Sequence, residues 1–153
     1  MSIFNFFRSD IKCPRCLGKG FVDWEDIHRL NRQLKWVPAP CAYCDATGRV
    51  EKEMLSKVDV DCMYLTIDLP ETVIEKIKDG DPETIEKGKK RELFVDSLIQ
   101  YAEHHYLTQN MDAESIANLY LNTEAENAHF AVTREELIKY IQGVIELKKS
   151  ELN

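Results

Sequence analysis

Two C-x-x-C pairs constrain this chain more than any other feature. Cys13 and Cys16 stand in "CPRCLGKG", Cys41 and Cys44 in "CAYCDATG", and the spacing is C-x2-C-x24-C-x2-C. A C-x-x-C turn lets two sulfurs reach one ion at about 2.3 Å, and two such turns complete a tetrahedron. The gap between the pairs exceeds the roughly 15–20 residues of common zinc ribbons, which leaves room for a short helix. Gly18, Gly20 and Gly48 permit the positive φ needed where backbone folds around an ion. "GKGFV" and "TGRVE" then read as short strands leaving each turn. One local unit therefore occurs twice: cysteine turn, glycine, strand.

Two other readings of the cysteines stay open. "CPRC" alone matches a redox dithiol, and four unligated thiols need no function at all. The dithiol chemistry requires a preceding strand in a βαβ unit, and none is expected before Cys13. The second pair also has no role in that mechanism. If an ion is bound, four thiolates close its shell, so the site is structural rather than catalytic.

The repeated unit resembles the cysteine-rich zinc module of the DnaJ (Hsp40) chaperones, whose repeat is C-x-x-C-x-G-x-G. "CPRCLGKG" matches it throughout, whereas "CAYCDATG" carries Ala46 in place of the first glycine. The resemblance covers about residues 11–52. It implies zinc ligation by Cys13, Cys16, Cys41 and Cys44. The family module usually has four repeats and two zincs, so two repeats imply a half-version with one structural Zn2+. The chain contains no His-Pro-Asp tripeptide and no J-domain is expected, so stimulation of Hsp70 is not implied. Short proteins with one such module, as in the anti-TRAP family, are protein-binding regulators. The resemblance thus implies a non-enzymatic, chaperone-like or regulatory factor whose partner is a protein or an unfolded polypeptide.

Between the pairs, "FVDWEDIHRLNRQLKWVPAP" predicts a helix capped by Asp23, with Ile27, Leu30 and Leu34 on one face and Pro38 and Pro40 beyond it. Arg29, Arg32 and Lys35 make it the most basic segment, flanked by Trp24 and Trp36. These five residues are the candidate partner-binding set. The alternative packs the tryptophans against the cysteine turns. His28 is a spare ligand candidate. A nucleic-acid-associated regulator could use the same basic helix, but the formal charge of −7 repels phosphate backbones.

The sequence divides into a module over residues 1–52 and a mainly helical domain over residues 53–153. "VEKEMLSK" reads as a charged connector, and alternation in "VDVDCMYLTIDLP" predicts a strand at about 58–69 with Cys62 as an inert buried thiol. Helices are expected from Pro70 to Asp79, from Asp81-Pro82 to about Leu107, from Asp112, and behind the Thr133/Glu136 capping box. Gly88 weakens the second of these. The expected class is α+β, with a small zinc-knuckle β-hairpin module and then a helical bundle with one or two strands.

That bundle shows no catalytic pattern. His104 and His105 are adjacent and point to different helix faces, and His129 stands apart. "DAESIANLYL" resembles one helix of a helix-turn-helix without a basic recognition helix. No phosphate loop, nucleophile motif or calcium loop occurs, so no enzyme is expected. With 44% hydrophobic and 31% charged residues, the 153-residue chain has a soluble globular profile. No apolar run nears the ~18 residues of a membrane span, and no secretory leader is recognised, so a cytoplasmic protein is expected. Ile3, Phe4, Phe6 and Phe7 are expected to dock on the bundle or to join an exposed apolar patch.

Overall fold

The computed structural model of the protein describes residues 10–123 and 133–152. Ile3, Phe4, Phe6, Phe7 and His129 lie outside the described residues. The chain forms two compact units, Met1–Glu92 and Leu93–Asn153. Its class is α+β, with two small antiparallel ribbons and six helices among the described residues.

In the first unit the ribbons are nested. The outer one pairs β1 (Asp10–Lys12) with β4 (Arg49–Glu51), setting Ile11 opposite Val50. The inner one pairs β2 (Phe21–Val22) with β3 (Ala39–Pro40), setting Val22 opposite Ala39. Each cysteine turn links an outer strand to an inner one, and so the two pairs meet. Between β2 and β3 lies α1 (Trp24–Arg29), closed at its start by a reciprocal Asp23/Asp26 capping box. Asp26 is buried and is paired with Lys19 at 2.9 Å and with Arg29 at 3.0 Å.

The helix between the pairs is shorter than its apolar spacing predicts. Leu30 is its C-cap, and Asn31 and Leu34 take positive φ of 59° and 72°. Leu34 therefore does not continue the face of Ile27. The tight turns let Arg32 donate to the Asp61 carbonyl at 2.8 Å, a bond that a straight helix would not place there.

The strand expected at about 58–69 is not present. That stretch is a series of turns, with Cys62 N–H donating to the Asp59 carbonyl and Leu65 N–H to the Cys62 carbonyl. Val58, Cys62 and Leu65 are buried as the apolar alternation suggests and Ile67 is exposed, but among the described residues no strand pairs with this backbone. A short helix α2 (Met54–Lys57) precedes it within the charged connector. Next comes α3 (Glu71–Lys78), whose Ile74 and Ile77 join the core of the cysteine module. Lys78 ties it to the second cysteine turn through Asp45 at 2.9 Å. The core of the first unit therefore runs continuously from Cys13 past residue 52 to Ile77.

The long helix α4 (Pro82–Gln109) starts where Asp81 accepts from Thr84 N–H. In the second unit, α5 (Ala113–Thr123) packs on α6 (Arg134–Leu152), with Ile116, Ala117 and Tyr120 buried on one and Leu137, Ile141, Val144 and Ile145 on the other. Arg134 fastens them by reaching Glu114 at 2.8 Å and Asn118 at 2.9 Å. The Thr133/Glu136 capping box forms as its spacing predicts.

Gly88 on α4 is explained by Tyr64, whose ring occupies the space a Cβ would need. Helix propensity alone predicts that Gly88→Ala stabilises the chain by about 1 kcal/mol. Overpacking against the ring costs about 1–3 kcal/mol, so a lower denaturation midpoint is expected. A raised midpoint in chemical denaturation would contradict this packing.

Candidate metal centre

The four cysteines of the two pairs converge. Cys13 Sγ lies 3.8 Å from Cys41 Sγ and Cys16 Sγ lies 3.7 Å from Cys44 Sγ. All four sulfurs lie within 4.8 Å of one another and all four residues are buried. Sulfurs each about 2.3 Å from a central ion are about 3.8 Å apart at tetrahedral angles, whereas a disulfide would need about 2.05 Å. Spacing and donor softness thus fit one thiolate-bound metal ion.

The two turns are copies offset by a constant step along the chain. Gly20 N–H donates to Cys16 Sγ at 3.2 Å, and Gly48 N–H donates to Cys44 Sγ at 3.2 Å. Cys41 N–H reaches the Gly20 carbonyl at 3.0 Å, and Cys13 N–H reaches the Gly48 carbonyl at 2.8 Å. Each turn therefore closes on the other. The last glycine of each repeat also lies against the opposite turn: a Cβ on Gly20 would meet the Ala46 carbonyl, and one on Gly48 the Gly18 carbonyl. Ala46, the departure from the repeat, still adopts the left-handed conformation of its counterpart, with φ of 64° against 85° for Gly18.

Without an ion the thiols perturb one another. The hydrogen bond from Cys41 is the main influence on Cys13 and pulls it down to about 5. That same bond, followed by burial, raises Cys41, while burial raises Cys16. A metal entering the site must replace these protons.

Arg15, inside the first pair, is 2% exposed and lies with its guanidinium 4.3 Å from the Trp36 ring centroid. Its nitrogens donate to the carbonyls of Val60 at 2.8 Å, Cys62 at 3.0 Å and Leu65 at 2.7 Å. Burial lowers its pKa, opposed by the charges of Cys41, Cys62 and Cys13. A divalent ion with four thiolates would carry a net double negative charge, part of which this guanidinium would offset. Tyr43 occupies the same position in the second pair and donates to the Val58 carbonyl at 2.7 Å. Neither residue stands out in the sequence. The available signal was an arginine lodged between two ligands, where a buried shell leaves it no water.

The five residues of the candidate partner set are not presented together. Trp24 is 55% exposed, but Trp36 is 7% exposed and donates its Nε1–H to the Met63 carbonyl at 3.1 Å. Arg29 donates to the Arg15 carbonyl at 2.7 Å besides pairing with Asp26. Arg32 pairs with Asp61 at 3.1 Å, and Lys35 is half-buried. Of these five residues Trp24 and Arg29 are exposed, Arg32 and Lys35 are half-buried, and Trp36 is buried. Carbonyls of the irregular backbone at 58–65 hold Arg32 and Trp36. His28 meets Gln33 at 3.0 Å rather than the sulfurs, and Cys62 is buried outside the four-sulfur cluster.

No protein family, curated protein or solved structure that was compared matches the chain. Among the described residues no helix is long and apolar enough to cross a membrane.

Two outcomes follow from this geometry. Ala46→Gly is expected to stabilise the first unit by about 1 kcal/mol by relieving the left-handed strain, with metal stoichiometry unchanged. Equal or lower stability in denaturant titrations would contradict it. Because Cys16 and Cys41 hold protons at neutral pH without metal, metal affinity is expected to fall steeply as pH drops from about 8 to about 6. Competition with a chromophoric chelator measures this, and a flat profile would exclude thiolate ligation.

Proposed function

We propose that the first unit is a structural zinc module in a non-enzymatic protein that engages a protein partner or an unfolded polypeptide. The carrying observation is the convergence of four buried sulfurs within 4.8 Å of one another. Zn2+ suits such a soft, four-coordinate set. Four thiolates fill its shell and leave no position for a substrate, which supports a structural role and not a catalytic one.

The protein-binding part of this reading draws on the DnaJ-type repeat, of which this would be a single-zinc half-version. It also draws on surface: Leu17, Phe21, Trp24 and Val37 expose large apolar side chains on the module. The rival readings lose support from the same geometry. Thiol exchange needs accessible sulfur, and these sulfurs are buried. Phosphate binding needs free cations, and Arg29 and Arg32 are bonded internally within a chain of charge −7. Reduced thiolates holding metal fit a cytoplasmic setting.

Native mass spectrometry of the reduced protein is expected to show one zinc per chain, lost in Cys13→Ser and Cys41→Ser. A Cys13–Cys16 disulfide in freshly reduced protein would sink the assignment. For the partner role, losing a tryptophan anchor costs about 2 kcal/mol, or roughly thirtyfold in affinity. Trp24→Ala is expected to weaken partner capture on that scale with zinc retained. Undiminished capture would remove Trp24 from the contact.

A further inference from the structure

The turns between Val58 and Leu65 are held in an unusual way. Six of their carbonyls accept from side chains: Val58 from Tyr43, Val60, Cys62 and Leu65 from Arg15, Asp61 from Arg32, and Met63 from Trp36. All four donor residues belong to the cysteine module, two inside the C-x-x-C pairs and two in the insert between them. Val58, Cys62, Met63 and Leu65 meanwhile bury their side chains. This is how a bound peptide is held: main-chain hydrogen bonds give affinity and apolar pockets give selectivity. Arg15 and Tyr43 are each flanked by ligand cysteines, so their positions depend on the turns that an ion would fix.

We propose that Arg15, Arg32, Trp36 and Tyr43 form a metal-gated cradle for irregular polypeptide, filled in this chain by its own residues 58–65. Metal binding docks the segment. Metal loss relaxes the two turns, withdraws Arg15 and Tyr43, and frees both the cradle and the apolar side chains of the segment. Recognition acts on carbonyls, so it tolerates sequence variation at the acceptor and selects for apolar residues at the buried positions. The proposal rests on the reading of the four cysteines as a metal site, and it adds what that site controls.

Hydrogen exchange on the full chain tests it, with zinc content followed in parallel by native mass spectrometry. In the zinc-loaded protein the amides of Val58, Cys62 and Leu65, which donate to Met54, Asp59 and Cys62, are expected to be protected. Chelation under reducing conditions is expected to speed their exchange at least about tenfold while amides of α5 and α6 keep their protection. Unchanged protection after complete zinc removal would overturn the gating. Arg15→Lys keeps the charge but not the planar fork, and it is expected to retain one zinc while exchange at 58–65 rises about tenfold. Unchanged exchange in that zinc-loaded variant would overturn the cradle. If Arg15→Lys does not load zinc, Tyr43→Phe gives the same readout through loss of a single hydroxyl. A wild-type protein that binds no zinc would overturn the metal reading itself, and the gating with it.

Discussion

Four cysteine sulfurs within 4.8 Å of one another, all buried, form the arrangement on which the first unit depends. Thiolates at that distance repel, and burial makes the repulsion worse. Two features of the chain offset it. Backbone N–H groups of Gly20 and Gly48 point at two of the sulfurs. The guanidinium of Arg15 adds a buried positive charge nearby. A divalent ion held by Cys13, Cys16, Cys41 and Cys44 would supply the remainder.

The same arrangement explains why so small a module has so few regular elements. Its ribbons are two and three residues per strand, and they serve to deliver the turns. What would otherwise be unsatisfied backbone, especially at 58–65, is met by Arg15, Arg32, Trp36 and Tyr43. Each of those side chains carries apolar surface as well as donors, and so one residue fills space and satisfies a carbonyl together. Removing Arg15 would leave the Val60 and Leu65 carbonyls without that partner, each a cost of about 1–3 kcal/mol, and the Cys62 carbonyl with Leu65 N–H alone.

The second unit obeys simpler rules. Its buried residues on α5 and α6 follow helical spacing, its ends are capped by Asp112 and by Thr133 with Glu136, and Tyr101 meets Tyr120 edge-on with ring centroids 5.3 Å apart.

What the sequence determined by itself was whatever depends on neighbours a few residues apart. The cysteine turns, the Asp23 cap, the start at Asp81-Pro82 and the last capping box are all local hydrogen-bond patterns with local residue requirements. Only the tertiary structure decided the rest. The segment at 58–69 alternates like a strand, but a strand needs a partner ladder, and side chains from far along the chain took its carbonyls instead. The helix after Asp23 has the apolar spacing to continue, but Arg32 and Trp36 are drawn to Asp61 and Met63, and the backbone turns at Asn31 and Leu34 to let them reach. Arg15 reads as a solvated charge until the folded chain removes its water, and Gly88 reads as a weak point in a helix until Tyr64 lies against it. In each case the deciding contact spans more than twenty residues of sequence, beyond the reach of any local pattern.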